Sequence, residues 1–443
     1  TTAGTTTLGG NVGGPLGGAG ALGALTISGG DTVVRASLIN TSGAAGQTYG
    51  GNVRLAADTW LNSGDAATAA PVTFRRAIDS LAAGSPVNLA VNASGRTLFA
   101  GIVGGTGPLA NLWTNPGYGR TDAGVTRFDA TTVPPQATVR TVGSQVYADD
   151  VVIGKNTLLA SAGDAGIVFS RAVNSAVGSA CILEIVTAGT TTFDGNVGGA
   201  LGGTAALGGI KTGTGATVIR GAIVNSSGAA GQVYRGPVLL GADVWINSGD
   251  AATAGPVTFA STVDSLAAAG TPFNLAVNAS GTTTFGAAVG GTHELRNLWT
   301  NPGYGRTDPG LTTFDVAQVP GKPAVVTLGS QVYADDVLLA RDTLLGSNGG
   351  GAITLSRTVN GGGTPVALAT DTTGATTFNG SVGGTGPLRS LDVRSGPTML
   401  AAPLVKTTGT DGQRYSSAVT LRASVWIDAG AGPVTFGSTL DST

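Results

Sequence analysis

Short segments in which apolar and polar residues alternate recur along the whole chain, and clusters of Gly, Asn, Asp, Ser and Pro separate them. Early examples are VVRASLI (33–39), VRLAADTWL (53–61), PVTFRRAIDSL (71–81), VNLAVNA (87–93) and RTLFAGIV (96–103). Such alternation, bounded by turn-forming residues, is typical of β-strands. No segment has the i, i+3, i+4, i+7 apolar spacing of an amphipathic helix. The pattern therefore predicts an all-β protein.

The strand pattern is itself repeated at two longer periods. The segments around Trp60 and Trp245 match almost letter for letter at a distance of 185 residues, and a shorter copy surrounds Trp426. A related motif with a VGG sequence after it places Phe at positions 99, 193, 285 and 378, about 93 residues apart. Self-similarity at a fixed period is the signature of a repeat architecture. We therefore divide the chain into repeats at about 4–94, 95–188, 189–280, 281–373 and a partial 374–443.

Two architectures are compatible with an all-β repeat of this length. Tandem immunoglobulin-like sandwiches have about the same size, but they do not require sub-motifs within a repeat to resemble one another. A solenoid does, because each coil stacks on a near copy of itself. Apolar positions recur after about 15–25 residues, for example from Leu55 to Phe74, and we interpret that step as one coil. The sequence therefore predicts a right-handed parallel β-solenoid (β-helix), continuous over residues 1–443, with about five coils in each repeat of about 93 residues.

The composition fits a narrow solenoid and argues against several functional classes. Gly accounts for 75 of the 443 residues, which suits tight corners, and charged residues make up only 11%. A net charge of −2 without a basic stripe argues against nucleic-acid binding. No run approaches the ~18–20 apolar residues of a spanning helix, so membrane insertion is not expected. Cys181, the single cysteine, is predicted to be a small core residue.

The motif series carries a resemblance to a known class of proteins. Its elements are TTTF-x-G-x-VGGT-x-x-L, Q-x-Y-x-x-x-V-x-L and GPVTF-x-S-T-V, found for example at 193–207, 234–246 and 257–263. The series resembles the β-strand-repeat regions of giant bacterial surface exoproteins, the filamentous-haemagglutinin-like adhesins, over essentially the whole chain. The resemblance implies a secreted or extracellular fibre on the bacterial cell surface, as a filament, a biofilm matrix component or the shaft of an adhesin.

The partners expected for such a fibre are other copies of the same chain. Thr1 begins inside a TTTL motif and Thr443 stops where earlier repeats continue, so the sequence predicts contacts with itself, end to end or laterally. The alternative is that these residues are a window from a longer chain whose neighbouring repeats supply the next coil. Cell-surface glycans are a further partner class that we keep open.

Residues suited to catalysis or metal binding are sparse. His293, the single histidine, takes the place of Gly107 in a turn, so we expect it to be solvated. The acidic pairs Asp149–Asp150 and Asp335–Asp336 fall short of the roughly six to eight oxygens that calcium takes, and we expect them in solvated turns. We therefore predict no catalytic residue, no metal and no cofactor. A secreted β-helix that binds or degrades carbohydrates is the alternative class.

One insertion supplies candidate interaction residues. The sequence WTNPGYGRTD occurs unchanged at 113–122 and 299–308 and is absent from the alternate repeats. Asn-Pro-Gly is turn chemistry, so we expect a loop that projects from the solenoid. Trp, Tyr and Arg are enriched at interaction hot spots, and the candidates are therefore Trp113, Tyr118, Arg120, Trp299, Tyr304 and Arg306. The alternative is that the tryptophan packs back onto the solenoid and the loop only covers a flank.

A Q-x-Y motif recurs once in each repeat. It places tyrosine next to a predicted strand in every copy, which favours a packing role over a ligand site. We therefore predict one recurrent structural site that is occupied by Tyr49, Tyr147, Tyr234, Tyr333 and Tyr415.

Overall fold

The computed structural model describes residues 4–14, 20–64, 68–116, 124–132, 135–199, 203–249, 253–266, 271–302, 310–317, 319 and 321–442. The regular elements among these residues are all β-strands, which pair in parallel and stack coil upon coil. The predicted all-β parallel β-solenoid is thus confirmed, whereas its right hand and its continuity over residues 1–443 stay predictions. The chain divides into two compact units, residues 1–217 and 218–443, which are described in turn.

The described strands of unit 1 (residues 1–217) form three stacks, in which each strand pairs with the equivalent strand one coil further on. Stack A contains Thr6–Leu8, Thr32–Val34, Val53–Leu55, Ile78–Ser80, Val139–Thr141, Thr157–Ser161, Ile182–Val186 and Leu207–Thr212. Stack B contains the first part of Leu38–Tyr49, then Thr59–Ser63, Leu89–Ala93, Leu112–Thr114, Gln145–Tyr147, Ile167–Phe169 and Thr191–Phe193. Stack C contains Leu22–Ile27, the last part of Leu38–Tyr49, then Val72–Phe74, Arg96–Phe99, Val125–Phe128, Asp150–Ile153 and Val173–Ser175.

Unit 2 (residues 218–443) is built in the same way from stacks D, E and F. Stack D contains the last part of Ile223–Tyr234, then Val257–Phe259, Thr282–Phe285, Leu311–Phe314, Asp336–Leu339, Val359–Gly361, the first part of Leu404–Tyr415, and Trp426–Asp428. Stack E contains Thr217–Ile219, Val238–Leu240, Val263–Ser265, Val325–Thr327, Thr343–Ser347, Ala367–Thr372, Leu388–Val393, the last part of Leu404–Tyr415, and Val434–Phe436. Stack F contains the first part of Ile223–Tyr234, then Val244–Ser248, Leu275–Ala279, Leu298–Thr300, Gln331–Tyr333, Ile353–Leu355, Thr376–Phe378, Thr398–Leu400, Val419–Leu421 and Leu440–Ser442.

The 12-residue strands turn a corner and therefore belong to two stacks. Leu38–Tyr49 pairs through its first residues with Thr59–Ser63 and through its last residues with Val72–Phe74. Gly46 lies at the bend with a φ of 63°, and a Cβ there would overlap the carbonyl oxygen of Pro71. Both the left-handed backbone and the close approach require glycine at this corner.

Inward side chains alternate with outward ones along each strand, and one aromatic ring per coil forms a column in the core of unit 1. Rings within stack C lie nearly parallel, with centroids 5.2, 5.5 and 5.4 Å apart, in the order Tyr49, Phe74, Phe99 and Phe128. The column then crosses to stack B through an edge-to-face contact of 5.6 Å between Phe128 and Tyr147, and continues with Phe169 and Phe193. Both ring arrangements are favourable for aromatic pairs.

A coil is longer than the spacing between Leu55 and Phe74 that the sequence suggested. Phe74 and Phe99, which pair in register on successive coils, are 25 residues apart. Leu55 and Phe74 lie on stacks A and C of the same coil, so their spacing measures the distance between two faces and not a full coil. From Tyr49 to Tyr147 the chain completes three and two-thirds coils. The prediction of about five coils in each repeat is therefore wrong, because each repeat spans fewer than four.

A buried Gln–Tyr pair recurs in both units and links neighbouring coils. The Tyr49 hydroxyl donates to Oε1 of Gln47 (2.9 Å), and Nε2 of Gln47 donates to the carbonyl of Asn62 on the next coil (2.8 Å). The same two bonds occur at Tyr147, Tyr234, Tyr333 and Tyr415. All five tyrosines are fully buried, so the predicted packing role is confirmed. Burial raises the pKa of each phenol.

Candidate functional site

The tryptophans of the two insertions belong to strands and not to loops. Trp113 is the middle residue of Leu112–Thr114, and Trp299 is the middle residue of Leu298–Thr300; both are half-buried. The two tryptophans themselves therefore do not lie in a projecting loop, while the projection of the rest of each insertion stays a prediction. The other candidates, Tyr118, Arg120, Tyr304 and Arg306, lie outside the described residues.

Trp113 shares the outer surface of stack B with a second tryptophan. Trp60 and Trp113 both pair in register with Ala90, on the coils before and after it. Their ring centroids are 6.4 Å apart with an angle of 30° between the planes, so the two rings lean towards each other over the small side chain between them. Ala90 is consequently buried although it faces outward.

A buried carboxylate holds both ends of the first insertion. Asp149, on the next coil, accepts hydrogen bonds from Thr114 Oγ1 (2.7 Å), the second residue of the insertion, and from Thr126 Oγ1 (2.9 Å), four residues after its end. Asn115 donates to the same carboxylate (3.4 Å), while its Oδ1 accepts from the backbone N–H of Ala93 (2.9 Å). Asn115 adopts a φ of 46°, in the left-handed region that Asn tolerates. The carboxylate therefore joins the two described segments on either side of residues 117–123.

Burial controls the ionisation of this carboxyl group. Desolvation, with a smaller contribution from the negative charge of the neighbouring Asp150, raises the pKa of Asp149 to about 6, although the hydrogen bonds from Thr114 and Thr126 oppose the shift. Transfer of the carboxylate charge out of water costs more free energy than hydrogen bonds from two hydroxyl groups recover. Asp150 itself faces outward and pairs with Arg171 at 3.5 Å.

Unit 2 contains the same arrangement. Asp335 accepts hydrogen bonds from Thr300 (2.7 Å) and Thr312 (2.8 Å), and Asn301 donates to it over 3.5 Å. Asn301 has the same φ of 46° as its counterpart in unit 1. Burial raises the pKa of Asp335 to about 6.

The expectation that both acidic pairs occupy solvated turns is therefore wrong for the first member of each pair. The signal that identifies the buried acid was present in the sequence. The residue two positions after the Q-x-Y tyrosine is aspartate only in the repeats that follow an insertion, and it is Gly51, Gly236 or Ser417 in the others. An acid that appears together with an insertion indicates a contact between them.

Surface grooves also occur in each unit, but their linings differ. The groove of unit 2, about 530 Å³, is lined by His293, Glu294, Lys322 and Asn348 together with prolines and small residues. His293 is exposed in its turn, as expected, and its backbone N–H donates to Asp264 (3.1 Å). The groove of unit 1, about 520 Å³, contains Arg140 and Glu184 as its charged residues. The two grooves therefore do not form a repeated site.

Two further properties concern only the part of the chain that the structure describes. Within it, no three His, Cys, Asp or Glu residues come together in a group that could hold a metal ion. The described residues also contain no helix long and apolar enough to span a membrane.

Comparison of the chain with family models, with curated proteins and with solved structures finds no match.

Proposed function

We propose that this chain is a structural component of an extracellular or cell-surface fibre, as a filament or matrix subunit or as the shaft of an adhesin, and that it has no catalytic activity. The observation that supports the proposal is the stacking of similar side chains on successive coils of the core. Successive coils place similar apolar side chains on one another, as in the aromatic column of unit 1 from Tyr49 to Phe193. Coils can be added to such a core without a new type of contact, which suits an elongated supporting element.

Contacts between copies are supported by side chains on three strands of unit 2. Trp426, Val434 and Leu440 are 72%, 39% and 47% exposed. Val257, which holds the position of Val434 in an earlier copy of the motif, is fully buried. The strands Trp426–Asp428, Val434–Phe436 and Leu440–Ser442 also offer backbone groups that a further parallel strand would pair. We infer that these strands contact a further coil, which either a second copy of the chain or a neighbouring repeat of the same polypeptide supplies.

Negative-stain electron microscopy and sedimentation of the purified chain over a range of concentrations test this contact. We expect fibres that lengthen as the concentration rises. A Val434→Lys, Leu440→Lys double variant should not form fibres, because lysines at the contact would lose hydration and repel each other. The control is Val177→Lys, at a residue that is 79% exposed in unit 1, and it should leave association unchanged.

Absence of fibres at every concentration, or fibres that tolerate both lysines, would contradict end-to-end contact of copies. The intact mass of the native material separates the remaining alternatives. A mass near 43.0 kDa supports association of separate copies. A much larger polypeptide would overturn the copy-to-copy contact and leave the shaft of a longer protein.

A further inference from the structure

We propose that the outer surface around the paired tryptophans binds neutral saccharide chains, once in each unit. We call this surface the tryptophan face. In unit 1 it consists of Trp60, Ala90 and Trp113 together with Asp58, Asn88 and Asn111. It is a binding surface in its own right, so the inference does not require the fibre contacts proposed above.

The first component of the tryptophan face is an apolar column. Trp60, Ala90 and Trp113 follow one another in register on three successive coils. Leu38 precedes them and Val146 follows them in the same outward column. Sugar rings carry apolar C–H faces that pack on indole, and large rigid aromatic side chains lose little conformational entropy when they bind.

The second component is a polar column beside the first. Asp58, Asn88 and Asn111 each lie two residues before a member of the apolar column, so strand alternation places them on the same outward side. Asp58 accepts from the backbone N–H and from Nδ2 of Asn88 (2.9 Å each), and Oδ1 of Asn88 accepts from Asn111 (2.8 Å). The last amide is fixed by Ser144, whose backbone N–H donates to Asn111 Oδ1 (2.6 Å).

These hydrogen bonds leave capacity for a ligand. A carboxylate has about four acceptor positions and an amide nitrogen has two protons, and the column uses only part of them. Carboxylate and amide groups held in fixed directions can bind pairs of sugar hydroxyls, and an aromatic surface with a few convergent polar groups is the usual composition of a small-molecule site.

Unit 2 contains the same face at the same register. Trp245, Ala276 and Trp299 form its apolar column. Asp243 accepts from the backbone N–H and Nδ2 of Asn274 (2.9 Å each), and Asn297 donates to Asn274 (2.7 Å). Packing alone would account for two tryptophans over an alanine. It does not account for the ordered carboxylate and amides beside them.

The charge of the tryptophan face favours neutral ligands over anionic ones. The two polar columns contribute the carboxylates of Asp58 and Asp243 and no Lys or Arg. Acidic glycans and nucleic acids would need cationic groups at this position. A neutral saccharide can donate hydroxyl hydrogen bonds to these carboxylates and brings no second negative charge to the face.

Native affinity electrophoresis of the full chain in gels that contain glycol chitin, hydroxyethyl cellulose or amylopectin tests the inference, with heparin as the polyanion. We expect at least one of the three neutral polysaccharides to retard the wild type, and heparin not to do so. A Trp113→Ala, Trp299→Ala double variant should bind at least tenfold more weakly. A Trp113→Phe, Trp299→Phe variant should retain part of the affinity, because phenylalanine keeps an aromatic surface.

The matched control is Trp426→Ala, which should bind like the wild type. Trp426 is an exposed tryptophan of the third motif copy, and it has Ser424 where the faces have aspartate. Circular dichroism and thermal melting check that each variant is folded.

Several outcomes would overturn the inference: no retardation in any neutral gel, retardation by heparin alone, or unchanged binding of the folded alanine variant. If the alanine substitutions instead abolish association between copies without affecting binding to polysaccharide, the face is a lateral contact and not a saccharide site. Retardation is measured at a concentration where the chain is monomeric, so failure of the fibre proposal would not affect this result.

Discussion

Asp149 and Asp335 each place a carboxyl group inside the solenoid, where its charge is poorly solvated. Their burial raises the pKa to about 6, against an ordinary value of 3.8. The folded state therefore binds the proton more tightly than the unfolded chain does. It follows that the free energy of unfolding rises as the pH falls through 6 and levels off below 3.8.

Between pH 7.5 and pH 5 we expect each aspartate to add about 1.4 kcal/mol to the free energy of unfolding. An Asp149→Asn, Asp335→Asn variant should lose this pH dependence, because the amide does not titrate. Guanidinium unfolding at both pH values measures the effect. Asp150→Asn with Asp336→Asn is the control, since these carboxylates lie at the surface beside arginines, and it should keep the gain. Equal pH dependence in the first variant and the wild type would contradict the assignment.

Two substitutions at a buried tyrosine distinguish the contribution of its ring to the free energy of unfolding from that of its hydroxyl group. Tyr234→Phe removes the 2.7 Å bond to Gln232 and leaves the glutamine oxygen without that donor, so we expect a loss of about 1–2 kcal/mol. Tyr234→Ala also removes a ring that stacks on Phe259 and should cost about 3–5 kcal/mol. Urea unfolding of the two variants tests this: no loss in Tyr234→Phe would mean that the hydrogen bond contributes nothing, and equal losses would mean that the ring contributes nothing beyond its hydroxyl group.

At the scale of elements, the corners accept fewer residue types than the strands do. Gly231 bends the strand Ile223–Tyr234 with a φ of 60°, and a Cβ there would overlap the carbonyl oxygen of Pro256. Gly231→Ala should therefore lower the free energy of unfolding by about 2–4 kcal/mol. Gly84→Ala is the matched control, because its added Cβ meets no atom within 4 Å. Chemical denaturation of both variants tests this, and a neutral Gly231→Ala would show that the corner can relax.

The sequence predicted strands and solenoid class because period-2 alternation follows directly from the geometry of a strand with one buried side. The coil length inferred from the sequence was wrong. Inward apolar residues such as Leu55 and Phe74 produce the same sequence pattern whether they share a coil or lie on successive coils. It also misplaced Trp113, since the strand that holds this residue is only three residues long and adjoins turn-forming residues. The contact of Asp149 with the insertion could be inferred only by comparing repeats, because the acid appears where an insertion precedes it and no pattern within a single segment indicates that contact.

At the scale of the whole molecule, the register predicts which deletions each unit tolerates. Ile153 pairs with Ser175 one coil later, so removal of residues 154–175 deletes one coil and lets Ala176 follow Ile153. We expect this variant to fold with an unchanged strand signal in circular dichroism and a single melting transition. Removal of residues 154–168 deletes only part of a coil and should yield aggregated protein. Folding of both variants, or of neither, would contradict the register.

The mismatch between the repeat and the coil has a consequence for how such a chain can change in evolution. Within unit 1 the Gln–Tyr motif lies in stack C at Tyr49 and in stack B at Tyr147, and within unit 2 it moves from stack D to F to E. Each copy of the Gln–Tyr motif therefore lies one face, about a third of a coil, away from the face that holds the previous copy. Recombination that gains or loses one repeat in a gene would change the length of a unit and would also rotate every later surface feature about its axis. Repeat number would then determine the direction in which each feature points.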